Sequence, residues 1–394
     1  MKKMKIFTPV FLFFIFTNLT AQKADYDSLI STGVKKIYQL KFDEAENVFQ
    51  SFEREYPKRA AGPFFDAMIL WWKIRLDMYD EQYDDEFYDK IENVLDFCDE
   101  LLDENDEDSE ALFFKGGALG FRGWLHSIRK EWFDAALDGK DALPLVYESY
   151  KQDTTNTDAY LGFGIYDYYT AVIPEKYPFV KPVMIFFPDG NKERGLKELE
   201  IAAEKGKYAK YEALFFLMIS NYQFEENYDK SLEYADRMLA EFPDNPVFEK
   251  YKARSFVKKG DYKTAAEIFA EIYRKCSAGF TGYNNRIKRE ASYYVGNQFL
   301  RDGKLDSAYA YFRECELLSQ IVDKEKETGF LISSEMMLAK ILERQGKYDD
   351  AIAKLKMVLE QKEYKGSHKK AETRIKRMEN NPKKNLKLLN DGKR

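Results

Sequence analysis

The sequence predicts an all-α fold, a solenoid of about eight antiparallel helix pairs. Two observations predict it. No alternating strand pattern persists anywhere in the 394 residues. A four-residue signature also returns at a fixed period: Gly260, Tyr262, Ala265 and Phe269 come back as Gly303, Leu305, Ala308 and Phe312, then as Gly346, Tyr348, Ala351 and Leu355. The glycines lie 43 residues apart, and such a period marks repeats that bury their faces against one another.

Composition bounds the function. With 45% apolar and 33% charged residues the chain can bury a core. Sixty-two basic side chains against 68 acidic ones, a net of −6, argue against nucleic-acid binding, which shows a basic excess. Three Cys make no disulfide framework, and two His leave little for a zinc site. No HExxH, GxSxG, CxxC or GxxxxGK[ST] occurs. The expectation is therefore a chain with no cofactor, no metal, no nucleic acid and no catalytic role.

Residues 1–21 read as an export signal. Lys2, Lys3 and Lys5 precede the apolar run Ile6–Phe16, and Ala21 is the small residue before the cut. That run is too short to span ~30 Å of hydrocarbon. The cut site has no Cys for lipid attachment, and removal of the signal takes the net charge to −9. The form of the signal is bacterial, so the protein is expected in the periplasm or at the outer membrane.

The mature chain follows in order. Gly33, Ala45, Phe49 and Pro57 set a first repeat in the same frame. Longer helix pairs come next at 60–79 with 86–104 and at 109–130 with 132–152, and a further pair at 157–206 carries an insertion. Tyr228, Ser231 and Pro243 restore the frame, and Asp244-Asn245-Pro246 makes a turn between pairs. Regular repeats run from 209 to 364, where Ala253, Gly296 and Ala339 stand twelve residues before Ala265, Ala308 and Ala351. Residues 365–394 are a basic tail.

These spacings resemble the tetratricopeptide repeat, a helix pair of 34 residues with small residues at the helix crossing and Pro ending the second helix. The resemblance implies a right-handed superhelix. The stretch Pro174, Gly190, Asn191, Glu193, Arg194, Gly195 and Leu196 is similar to a tetratricopeptide subfamily of secreted bacterial proteins. It more distantly resembles the eukaryotic tetratricopeptide-repeat-39 and inclusion-body-clearance proteins. That likeness implies a binding or adaptor role without catalytic residues.

The insertion at 173–190 is too apolar for a solvated connection. It either plugs the superhelix or presents Tyr177, Phe179, Phe186 and Phe187 to a protein or a membrane surface. Tyr166, Tyr168 and Tyr169 cannot all face one way on a helix, so at least one is expected to leave the core, into the groove. Asp189 and Asn191 compete to cap the next helix, and Arg194 is expected to reach a carboxylate such as Glu212. Gly116, Gly117, Gly120 and Gly123 read as a close helix contact, His126 as a half-buried structural residue and His368 as solvated. An oxidising compartment would permit a Cys276–Cys315 disulfide. The function these observations predict is a protein-binding scaffold of the cell envelope that uses the solenoid groove. The alternative is a helical glycan-binding or glycan-hydrolysing protein.

Overall fold

The computed structural model describes residues 25–184, 187–323 and 329–380. The expected export signal, Phe186 and the chain beyond 380 lie outside the described residues. Among the described residues the architecture is helical throughout. Two compact units divide the chain, Met1–Asn245 and Pro246–Arg394.

Among the described residues, five helix pairs build the first unit. They are α1 (25–38) with α2 (Phe42–Glu55), α3 (Ala61–Leu76) with α4 (Asp84–Glu104), and α5 (Ser109–Arg129) with α6 (Trp132–Gln152). Then come α7 (Ala159–Lys176) with α9 (Lys192–Lys205), and α10 (Lys210–Gln223) with α11 (Tyr228–Glu241). A 3-10 turn (Pro178–Val180) and the single turn α8 (Lys181–Met184) sit between α7 and α9. Three pairs build the second unit: α12 (Pro246–Lys258) with α13 (Tyr262–Ser277), α14 (Asn285–Arg301) with α15 (Leu305–Val322), and α16 (Gly329–Arg344) with α17 (Tyr348–Glu360). The segment expected as a basic tail begins with a further helix, α18 (Ser367–Glu379), whose buried Ala371 and Met378 cover the last pair. His368 lies on that helix and bonds the Gln361 carbonyl at 2.8 Å. Among the described residues no helix is long and apolar enough to cross a membrane.

Each pair is made by a small residue beneath a large one. A Cβ on Gly33 would lie 2.4 Å from the Phe49 ring, and one on Gly296 3.3 Å from Phe312. Ala45, Ala265, Ala308 and Ala351 are fully buried beside them, and Pro57 stands just past the end of α2. Five residues before each second-helix Ala, the chain turns through the left-handed region. Gly260, Gly303 and Gly346 do so at φ 81°, 76° and 76°. Leu40, five before Ala45, and Glu226, five before Ser231, hold the equivalent places at φ 59° and 51°, where a side chain is costly. The Gly series of α5 works as a contact surface: a Cβ on Gly116 or Gly123 would come within 3.0 Å of α6, and one on Gly117 would press on Phe64. Gly120 faces open space.

Candidate interaction surfaces

In the first unit the inner helices meet. Twelve of the 16 residues of α3 are buried, and 11 of the 14 of α10. A helix apolar all round belongs inside a structure rather than along a groove. Trp124 of α5 packs on Phe216 of α10 at 4.4 Å, Tyr169 of α7 on Phe216 at 5.8 Å, and Trp71 of α3 on Trp124 at 5.3 Å. The first helix closes onto the tenth: Tyr38 stacks on Phe242 at 5.3 Å and donates to Glu212 at 2.8 Å, while Asn245 donates to the Tyr38 carbonyl. The expected groove is thus filled in this unit.

At its centre Arg75 forks onto Glu212, with Nη1–Oε2 at 3.1 Å and Nη2–Oε1 at 2.5 Å. The guanidinium lies 3.9 Å from the Phe215 ring centre and 4.8 Å from that of Trp72, with Trp71 and Trp124 at 5.2 and 5.6 Å. A buried cation needs this combination of fork and aromatic faces.

The predicted site residues fall into two groups. Tyr168 is fully buried and bonds Glu225, so it is a core residue rather than a partner contact. Tyr166 and Tyr169 are half-buried, and Tyr166 donates to the Pro188 carbonyl at 2.9 Å. Phe187 is half-buried near Tyr166. Tyr177 and Phe179 are exposed, at 42% and 61%, and Phe179 meets Trp132 edge-on at 5.4 Å. Phe133 and Leu137 on α6 are exposed as well. The insertion therefore packs on α6 rather than filling a superhelix.

Asn191 caps α9 by accepting from the Arg194 N–H at 2.8 Å. Arg194 does not reach Glu212. It forks onto Asp167 of α7, directly across the crossing that Gly164 and Gly195 bring close, and Glu212 belongs to Arg75. Glu198, beside Asp167, is pushed up to about 7, by burial first and the neighbouring carboxylate second. Cys276 and Cys315 are free thiols, each held well up by burial.

Sequence reasoning missed two surfaces. The first is an open cavity of about 900 Å³ in the first unit, walled by the segments that lead into α1, α3, α5, α7 and α10. Tyr26 donates to Glu110 at 3.0 Å and Arg59 pairs with the same carboxylate at 3.1 Å. Tyr208 donates to Asp27 at 2.5 Å, and Asp158 accepts the N–H groups of 207–209. Burial raises the Glu110 and Asp158 carboxyls. The second is a cleft of about 250 Å³ in the second unit, lined by Tyr262, Tyr293, Tyr294, Asn297, Gln298 and Arg301. The Arg301 guanidinium stacks 3.7 Å from the Tyr262 ring centre, and Tyr294 stacks on buried Phe269 at 4.6 Å. The i, i+3/i+4 spacing of Tyr293, Tyr294, Asn297, Gln298 and Arg301 was the available signal, a stripe that pairs aromatic rings with amides and a guanidinium.

Two tetratricopeptide-repeat family models match the chain, at 218–280 and at 334–361. No curated protein matches it. Among solved structures it is similar to a tetratricopeptide repeat protein from Parabacteroides merdae, 14% identical with a TM-score of 0.34 over 78% of this chain and 98% of that one. It is also similar to the C-terminal part of a tetratricopeptide repeat-containing protein from Cytophaga hutchinsonii, 15% identical with a TM-score of 0.38 over 79% and 98%. A third is yeast Tom70, 12% identical with a TM-score of 0.39 over 92% and 84%.

Proposed function

We propose that this chain, which carries tetratricopeptide repeats, is a non-catalytic protein-binding scaffold of the bacterial cell envelope. Repeats of this kind generally mediate protein–protein interaction. The observation that carries the reading is the α14 face. Tyr262, Tyr293, Tyr294 and Arg301 sit half-exposed or exposed around a cleft in an otherwise well-packed unit. Tyr and Arg are enriched at protein interfaces, because each supplies a large contact area with a polar tip. An extended or helical segment of the partner lies across this face. The exposed Tyr177 and Phe179 form a second contact, for protein or membrane surface. Export rests on the sequence of residues 1–21.

The test is capture of the tagged mature protein from its own envelope after mild crosslinking. One or two proteins near stoichiometry, lost when Tyr293 and Arg301 both become Ala, would support the reading. A clean preparation, or capture indifferent to those changes, would overturn it.

A second reading, glycan binding, is favoured by the larger cavity. There Tyr26, Tyr56, Phe113 and Tyr208 stand beside Asp153, Asn156 and Arg59, the mixture of rings and planar polar groups that suits a sugar. Saturable changes in tyrosine fluorescence on titration with oligosaccharides would support it.

A further inference from the structure

The turn between α5 and α6 gathers three metal-ligating side chains on a rigid frame. His126 lies in the last turn of α5, Glu131 opens α6 and Asp134 follows in its first turn. One ligand atom of each lies within 4.8 Å of the others. Lys130, in the left-handed region at φ 68°, folds the chain so that the Glu131 N–H bonds the His126 carbonyl at 2.9 Å. That turn sets the imidazole Nδ1 2.6 Å from Glu131 Oε2. The Tyr88 hydroxyl of α4 approaches the same nitrogen at 3.3 Å.

A fixed carboxylate stands behind the ring. Asp138 is buried and forked by Arg122, at 2.9 and 2.7 Å, so its position is fixed. Its Oδ2 stands 3.8 Å from His126 Nε2. The frame is anchored again where Arg129 forks onto Asp84 and bonds the Met78 carbonyl at 2.6 Å. A four-coordinate ion with bonds of about 2.0–2.1 Å needs donors roughly 3.3 Å apart. Rotation of Glu131 and Asp134, both exposed, closes the remaining gap.

We propose that His126, Glu131 and Asp134 bind one divalent transition-metal ion. One imidazole with two carboxylates suits Zn²⁺ and its neighbours, whereas Ca²⁺ and Mg²⁺ prefer oxygen alone. A single imidazole suffices for this donor set. Three protein ligands leave the fourth position open to water or to a side chain of a partner.

The test titrates Zn²⁺ into the untagged mature chain at neutral pH, by calorimetry and by imidazole NMR. The chain has only two His, so the two rings are distinguishable. One equivalent should bind with a Kd below about 10 μM, and only the His126 ring should shift. His126→Ala and Asp134→Asn should each weaken binding at least about tenfold, with the helical circular dichroism retained, and His368→Ala should change nothing. Absence of saturable uptake below about 1 mM, or uptake that survives His126→Ala, would overturn the site.

Discussion

Replacing Arg75 by Met removes the cation from the centre of the first unit and leaves Glu212 there. Glu212 keeps the Tyr38 hydroxyl at 2.8 Å but loses both guanidinium bonds. An uncompensated buried charge of this kind costs about 3–5 kcal/mol. The four surrounding rings lose a desolvated cation, a contact worth about 2 kcal/mol that is part of the same loss rather than an addition to it. For a unit of this size the midpoint of unfolding should fall by roughly 6–20 °C. Replacing both partners by Met removes the stranded charge and takes from the Tyr38 hydroxyl its Glu212 acceptor, at about 1–3 kcal/mol. The double variant should therefore be more stable than Arg75→Met alone, with a coupling of at least about 2 kcal/mol. The assay is denaturant unfolding followed by tryptophan emission. All four Trp lie in the first unit, and three of them ring the guanidinium, so the signal reports that unit. A cost under about 1 kcal/mol for Arg75→Met, or two single costs that simply add, would refute the reasoning.

Three further outcomes are expected. Gly195→Ala would place a Cβ 2.5 Å from the Tyr168 nitrogen and 2.8 Å from the Gly164 oxygen. Both are backbone atoms, so α9 must lift off α7, at a cost of about 1–3 kcal/mol visible as faster amide exchange in α9. Glu226→Gly relieves a left-handed residue whose side chain is exposed, and should raise thermal stability by up to about 1 kcal/mol. Glu335 is pushed up to about 7, chiefly by burial. Its folded form holds a proton that the unfolded chain releases near pH 4.3, so stability is highest below that value and falls as pH rises through 7. Unfolding of the second unit at pH 5 and pH 8 should differ by a few kcal/mol from this group, and Glu335→Gln should flatten the difference.

In one pair the helix boundaries were legible to within a residue. The pair expected at 109–130 and 132–152 is found at Ser109–Arg129 and Trp132–Gln152, because caps and turn residues are local signals. The eight pairs followed from the same signals. The filled centre did not, since a repeat frame states which helices pair but not how tightly successive pairs curl. A hint was present: AGPFFDAMILWWKIRL and YEALFFLMISN are apolar on every face, as buried helices must be. Charge partners were least legible. Arg194 has several carboxylates within reach of its helix, and only the glycine-mediated crossing selects Asp167. Glu212 finds Arg75 across 137 positions of chain, which no spacing rule reports. Tyr168 and Tyr169 are adjacent in sequence, yet Tyr168, at the α9 crossing and on Phe224 and Glu225, is sealed in while Tyr169, on Phe216 of α10, stays half-buried.

The docking of α1 on α10 also sets a schedule. In an ideal repeat array each pair can settle as soon as its neighbour is made. Here Tyr38 waits for Tyr211, Glu212, Phe242 and Asn245, the last of them 207 positions downstream. During that interval the amino-terminal end of the chain stays available to whatever binds extended polypeptide. Truncating the chain before residue 208 should leave that end permanently unsettled, however well the intervening pairs form.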